Sequence, residues 1–470
     1  MYSISPRSSR DPIADPFVVL MADFRYFAAI CIATGTFAMA STACAAEYET
    51  ESSGIVAASN VSTAESAAAA SVDVSAGLLT RLSDRERLQR LADQENPLIV
   101  RSLEAMRSQA EAEMTVEVRP VTAGKETGKR VAPSGDPHDY VSLSPYWWPN
   151  PDTDDQLPYV RRDGEVNPDR HKYDTPKLGA FGKAVRTLGF AYHAFGDERY
   201  AKRAAEHARA WFVDPATRMR PRMQYAQFVP GVADGRPVGI IDTNRLRWVA
   251  DAILMLEPSP HWTDADMEAT RAWYGEYARW LVTSELGKKE RAAKNNHGTW
   301  FAAQAMQYAL MAGDDSLARE LAESAKGLIA GQIEPDGSQP HELTRTRSLH
   351  YYEFNLRGLM DISLYAKHVG VDVAAYESPE GASIRQAIEH VAPYLLSPDT
   401  WEHQQIVPAN QSMYYQTFRK AALLWDDARY EAAARALPVP REDYMWIDVV
   451  MPPRHEPTMS ASEIEWSVAR

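Results

Sequence analysis

One short pattern recurs along the chain and limits its architecture more than any other feature. Ala194-Phe195-Gly196-Asp197-Glu198-Arg199-Tyr200-Ala201 is echoed by Met311-Ala312-Gly313-Asp314-Asp315-Ser316-Leu317-Ala318, and more loosely by Trp425-Asp426-Asp427-Ala428-Arg429-Tyr430. Each copy puts Gly or Asp where one helix should end and Asp or Ser where the next should begin. Glycine admits the left-handed conformation that closes a helix, and a side-chain oxygen caps the free N–H groups of the next, so each copy predicts a tight turn between two helices. The flanks agree: from Leu78 onward apolar residues fall at helical spacing, as in Ala201 to Phe212, and period-2 strands are few. Helical hairpins that bury one face against their neighbours predict an all-α fold, an (α/α)n toroid (an incomplete α/α barrel) or a solenoid, with long loops.

A chain of 470 residues, 45% of them hydrophobic, can build a large core. Its length alone would allow about three domains, but a helical toroid uses the same length in one. Residues 78–455 are expected to form that single domain, with residues 456–470 as a tail. Lys+Arg 50 against Asp+Glu 64 gives a net charge of -14. An acidic surface argues against nucleic acid or a membrane surface as partner, since both reward broad basic faces. It leaves room for an anionic ligand in a locally basic cleft.

The N-terminus reads as a secretory signal peptide over residues 1–46. Met21-Ala22-Asp23-Phe24-Arg25 precedes an apolar run from Tyr26 to Ala40, and Ala43-Cys44-Ala45 supplies an Ala-x-Ala cleavage site. Met21 is an alternative start. The run is short and interrupted by Thr and Gly, which disfavours a membrane anchor. Both cysteines, Cys31 and Cys44, fall inside the segment to be removed, so an exported, periplasmic or secreted protein without disulfides is expected. Residues 47–77, rich in Ala, Ser, Thr and Val, read as a flexible lead.

Pro-rich polar stretches at 131–176, 213–238, 333–347 and 397–411 interrupt the helical pattern, and long loops on a rigid scaffold commonly carry binding and catalysis. In the first, Tyr146-Trp147-Trp148 is fenced by prolines, and such aromatics suit the C–H faces of sugar rings as well as they suit packing on the helices. Arg161 brings positive charge nearby, and the second loop offers Gln224, Tyr225 and Gln227. At the start of an apolar helix stands Asn295-Asn296-His297-Gly298-Thr299-Trp300. One asparagine there is explained as a cap; a second, followed by His and Gly, is not. Further on, Glu342-Leu343-Thr344-Arg345-Thr346-Arg347-Ser348-Leu349-His350-Tyr351-Tyr352 enters another helix. Leu349, Tyr352, Leu356 and Leu359 make its core stripe, which turns Tyr351 away as the freer phenol.

A second His at zinc-protease spacing, a calcium loop, a phosphate-cradling loop, a Gly-x-Ser-x-Gly elbow and a cysteine nucleophile are all missing from the sequence. Asn, His, Arg and Tyr without an obligatory metal suit β-elimination of a 1,4-linked polyuronate. That reaction removes the proton on C5, stabilises an enediolate beside the carboxylate and protonates the departing O4. A tyrosine that takes the C5 proton needs a cation to lower its pKa; a fall from about 10 to about 7 corresponds to roughly 4 kcal/mol.

The motifs Asn295 to Trp300 and Glu342 to Tyr351 together resemble the alginate-lyase superfamily of α/α-toroid polysaccharide lyases. The loops Ser142 to Pro151 and Tyr225 to Thr243 resemble its branch classed as polysaccharide lyase family thirty-eight, and the likeness spans residues 139–430. It implies catalytic roles for Asn296, His297, Arg345 and Tyr351. Substrate contacts are expected from Tyr146, Trp147, Trp148, Arg161, Gln224, Tyr225, Gln227, Arg347 and His350. No metal or cofactor is implied. In family five the interval from arginine to tyrosine is one residue longer, which leaves Arg347 and Tyr352 as rivals; the core stripe favours Tyr351. The partner implied is an acidic polysaccharide, glucuronan in preference to mannuronate-rich alginate. Two other classes remain open: an α/α-barrel glycoside hydrolase using carboxylates such as Glu334, Asp336 and Glu342, and a glycan-capture protein without catalysis.

Overall fold

Helix α1 (Leu82–Asp93) and helix α2 (Pro97–Glu113) meet at Asn96, whose side chain accepts from the backbone N–H groups of Leu98 and Ile99 while Pro97 opens α2. The structure is a computed structural model that describes residues 78–79, 82–125, 131–162, 166–408, 411–437, 446–455, 460 and 463–466. The expected signal segment 1–46 and lead 47–77 lie outside the described residues, as does most of the tail 456–470. Among the described residues no helix is long and apolar enough to cross a membrane.

After α2 the chain runs through a long loop with three short strands, β1 (Val141–Leu143), β2 (Trp147–Trp148) and β3 (Val160–Arg161). Helix α3 (Thr175–Phe195) then ends at Gly196, φ 65°, and Asp197 accepts from the N–H of Arg199 to start α4 (Glu198–Ala208). A second loop holds β4 (Tyr225–Phe228) and leads into α5 (Leu246–Leu254), α6 (Asp264–Thr283) and the short α7 (Glu285–Arg291). Helix α8 (Asn296–Ala312) ends at Gly313, φ 77°, where Asp314 caps α9 (Asp315–Gln332) through the N–H of Leu317. A single turn, α10 (Pro340–Leu343), precedes α11 (Ser348–Ala366) and α12 (Ile384–Leu396). The third hairpin joins α13 (Gln411–Trp425) to α14 (Ala428–Ala436), and Asp427 caps α14 through the N–H of Arg429. Its turn residue is Asp426, φ 52°, in place of glycine, a substitution that aspartate tolerates and that explains why this copy is the loosest.

The hairpins build the expected α/α toroid. Helix α8 packs on α6, α9 and α11, α11 on α13, and α3 on α2, α4 and α5. The ring is closed by α15 (Trp446–Val450), which packs on α2 and α3. Its buried Asp448 accepts from Ser102 of α2 at 3.1 Å and from Tyr415 of α13 at 2.6 Å, so one carboxylate ties early and late helices together. Between the helices, Asp361 is held by Arg247 at 2.8 Å and Lys420 at 2.5 Å, all three buried, so that one carboxylate offsets part of the cost of burying two cations. Short strand pairs stitch the loops: β1 of the first runs parallel to β4 of the second, and within the first β2 runs antiparallel to β3 with Trp147 opposite Arg161. This stitching sets the aromatic loop and the 213–238 loop side by side.

Candidate functional site

The site begins at the start of α8. Asn295 is the cap, accepting from the N–H of His297 at 3.2 Å, so Asn296 is released for other work. Gly298 is required because a Cβ there would lie 2.1 Å from the carbonyl oxygen of Ala293. Asn296 donates from its backbone N–H to Oε1 of Glu342 at 2.8 Å and from Nδ2 to Oε1 and Oε2 at 3.0 and 3.1 Å. Its Oδ1 is buried with no hydrogen-bond partner among the described residues. His297 places Nδ1 2.6 Å from Oε1 of Glu290 on α7, both side chains being buried.

Glu342, at 1% exposure, is where the pieces meet. Burial raises its carboxyl above the usual range, against the downward pull of the Asn296 hydrogen bonds and of the nearby Arg345 and His297. Arg345 follows three residues later and lays its guanidinium 3.7 Å from the centroid of the Tyr351 ring. Helix α11 is buried on every side, so exposure does not separate the two tyrosines as the core stripe had suggested. Their phenols do. Tyr352 donates to the carbonyl of Gly337 and shares that of Ala387 at 3.1 Å, which commits it to structure. Tyr351 faces Arg345 and Arg347 instead.

Burial is the largest influence on Tyr351 and raises its pKa; Arg345 and Arg347 pull it down and Glu342 pushes it up. The cation required from sequence is therefore present, but the balance is reversed: the resting residue is the neutral phenol. His350 is pushed the other way, down to about 3, by burial and by Arg347, Arg357 and Arg345, so it packs as a neutral ring against Tyr351 and Phe354 rather than as a cation.

Beside this cluster lies an open cleft that brings together Tyr146, Trp147, Arg161, Gln227 and His297. Arg236, not singled out from sequence, joins them and donates to Ser144 Oγ at 2.7 Å. Burial, with Arg161 close by, lowers the Arg236 pKa, and Glu290 opposes this. Two guanidiniums and an imidazole around one cleft make a local anion site on an acidic protein. Gln227 is fixed there by its buried neighbour Asp242, whose Oδ1 accepts from Nε2 at 3.2 Å, and by φ 49°, which breaks the alternation of β4. Trp148 lies outside the cleft under the guanidinium of Arg162, 5.1 Å from its ring. Gln224 is exposed, Tyr225 half-buried, and neither lines the cleft; Arg347 pairs with Gln405 in a backbone bridge. The carboxylates of the hydrolase alternative do not converge, since Glu334 and Asp336 are exposed and Glu342 is enclosed by Asn296.

The model of the family described as alginate lyase matches residues 124–401, more than half of the chain. The chain belongs to the alginate lyase family. Among solved structures, an alginate lyase from Bacteroides ovatus is 33% identical with a TM-score of 0.73, covering 80% of this chain and 98% of that one. A histidine-to-alanine variant of alginate lyase A1-III, complexed with a tetrasaccharide, is 19% identical with a TM-score of 0.50, covering 82% and 99%; that likeness is one of fold. A search of curated proteins finds no match. As a member of the alginate lyase family the protein is a polysaccharide lyase, and the toroid expected from the turn pattern is the fold found. Glu290, Arg236 and the pairing of Glu342 with Asn296 were the parts of the lyase that its sequence did not disclose.

Proposed function

We propose that the protein cleaves β-1,4-linked polyuronate by β-elimination, leaving 4,5-unsaturated uronate ends, with Tyr351 as the residue that moves the proton. The observation that carries this reading is the guanidinium of Arg345 at 3.7 Å from the Tyr351 ring, beside the Asn296–His297 start of α8, while Tyr352 is committed to two backbone carbonyls. In the reaction Tyr351, a neutral phenol at rest, first gives its proton to solvent, a loss that Arg345 and Arg347 favour; the C5–H bond then breaks and its proton goes to the phenolate oxygen. The electron pair left on C5 is drawn into the adjacent carboxylate, whose charge is balanced by Asn296, His297 and Arg345. The C4–O4 bond then breaks as C4=C5 forms, and the Tyr351 phenol just formed gives that proton to O4, which returns the phenolate.

Tyr146 and Trp147 offer faces for sugar rings, and Arg161 and Arg236 counter charges for uronates outside the reacting unit. Glucuronan is the favoured substrate, supported by the resemblance of the loops Ser142 to Pro151 and Tyr225 to Thr243 to the family thirty-eight branch. Mannuronate-rich alginate is the second reading, supported by the 33% identity with a protein named as an alginate lyase. The two sugars differ at C2 and present the same C5 proton and O4. Export to the periplasm or beyond, proposed from residues 1–46, would bring the enzyme to such a polymer. The test is parallel incubation with glucuronan, polymannuronate and polyguluronate, with and without chelator, reading ultraviolet absorbance and product masses. Products lacking the unsaturated end would overturn elimination, and turnover of polymannuronate alone would move the assignment to the second reading.

A further inference from the structure

The Asn296 amide is turned the wrong way for the role just given to it. An amide balances a carboxylate by donating N–H, yet both Nδ2 contacts go to Glu342, and the end that points away from Glu342 is Oδ1, an acceptor, which a carboxylate repels. Turning the amide would set Oδ1 against a Glu342 oxygen. That contact is favourable only if the oxygen carries a proton, because two acceptors cannot share a hydrogen bond without one. The second Glu342 oxygen could keep the backbone N–H of Asn296, now at 2.8 Å, in either state.

From this geometry we propose that Glu342 is a proton-linked positioning residue. When it takes up a proton it donates to Asn296 Oδ1, the amide turns, and Nδ2 is presented to the uronate carboxylate. This rests on the elimination reading above and deepens it. An arriving uronate is itself the driving force, since two carboxylates brought together cannot both stay ionised cheaply. The groups facing Glu342 are Asn296 and His297 from α8, Arg345 from its own segment, and Tyr351 from α11. Arg345 and His297 pull the carboxyl down and so resist the uptake, and burial of the carboxyl assists it. The proton has a second effect: it removes the one charge that pushes the Tyr351 phenol upward, so that only burial still opposes Arg345 and Arg347. Binding and activation of the base would then depend on one event. The balance is simple: one proton enters from solvent to the Glu342 carboxylate with the substrate and leaves with the product, and no covalent bond of Glu342 other than O–H forms or breaks.

The test compares Glu342→Gln and Glu342→Ala with the unsubstituted chain, each also carrying Tyr351→Phe so that a uronate oligosaccharide binds without turnover. A glutamine amide can donate permanently to Asn296 Oδ1 while its carbonyl accepts the backbone N–H, and so fixes the turned state. With Glu342 present, affinity should weaken with rising pH, by up to about tenfold per pH unit, and calorimetry in buffers of different ionisation enthalpy should show proton uptake. In Glu342→Gln the affinity should be retained, with uptake lower by about one proton and a correspondingly flatter pH dependence. Equal uptake in the two proteins would overturn the proposal, as would a loss of binding in Glu342→Gln as deep as in Glu342→Ala, which is what a purely structural carboxylate predicts. If the glutamine variant fails to fold, infrared difference spectra of Tyr351→Phe alone decide the matter. A carbonyl stretch of a protonated buried carboxyl gained on binding supports the proposal, and its absence overturns it. Turnover by the unsubstituted protein is measured in parallel. Uronate binding without elimination fails the functional reading alone, and elimination without the difference in proton uptake fails this inference alone.

Discussion

Nδ1 of His297 stands 2.6 Å from Oε1 of Glu290, and both side chains are buried. A carboxylate at that distance takes its hydrogen from Nδ1 and fixes the imidazole, leaving Nε2 as the nitrogen for the cleft that His297 lines. An amide in place of the carboxylate could face Nδ1 as donor or acceptor and would no longer choose between tautomers. Glu290→Gln should therefore lower kcat at least about tenfold with a smaller change in KM, by analogy with the cost of releasing an oriented catalytic histidine. Steady-state kinetics on the preferred polyuronate, with circular dichroism to verify the fold, would check it; unaltered kcat would show that Glu290 does not set the ring.

The two adjacent tyrosines should fail in different ways. Tyr351→Phe removes the proton carrier and should abolish the ultraviolet signal of unsaturated ends while leaving the melting temperature nearly unchanged. Tyr352→Phe leaves two buried carbonyls, those of Gly337 and Ala387, without their donor and should cost about 1–3 kcal/mol of stability with activity retained. Thermal melts and lyase assays on both proteins separate the roles. The opposite pairing of effects would return Tyr352 as the proton carrier.

What the sequence disclosed and what it hid follow from range and burial. The Gly196–Asp197 and Gly313–Asp314 turns are local, each set by a left-handed residue and a cap within a few positions, so the toroid could be read directly. Asn296 stood out because Asn295 already accounts for the cap. Glu290 lies in Lys288-Lys289-Glu290-Arg291, which reads as a solvated charge run; only the packing of α7 against α8 buries it. Arg236 follows Asp234-Gly235, a turn signature, and comes to the cleft because its loop is stitched to the aromatic loop by β1 and β4. The upward balance on Tyr351 was equally hidden, since sequence placed a cation beside the phenol but could not weigh it against burial.

Arg236 supplies a further expectation. Its Nη1 donates to Ser144 Oγ, and Arg161 lies near enough to lower its pKa, a pairing of like charges that an anion would relieve. A hydrogen bond to a charged group is worth about 1.5–3 kcal/mol. Arg236→Ala should therefore raise KM for a polyuronate at least about tenfold with kcat less affected, and the salt dependence of KM should become shallower. Equal loss in kcat with KM unchanged would move Arg236 from binding the polymer to the reacting centre.

Remote from the cleft, Asp251 gives a prediction about stability and pH. Its carboxyl is fully buried on α5, with Oδ1 accepting from the N–H of Leu78 at 3.0 Å and Oδ2 without a hydrogen-bond partner among the described residues. Burial raises its pKa to about 7, against the pull of the Leu78 hydrogen bond and of Arg247. An unfolded aspartate titrates near 3.9, so the folded state holds the proton more tightly than the unfolded state does. The carboxyl therefore favours folding at low pH, and that contribution is lost as pH rises from about 4 to about 7; beyond this the full cost of an ionised buried group is present. Three pK units correspond to about 4 kcal/mol. Asp251→Asn keeps the acceptor for Leu78 and cannot ionise, so it should match the unsubstituted protein near pH 4 and exceed its stability by about 2–4 kcal/mol near pH 8. Urea unfolding at the two pH values measures the difference, and a gap that does not change with pH would mean that Asp251 does not titrate in this window.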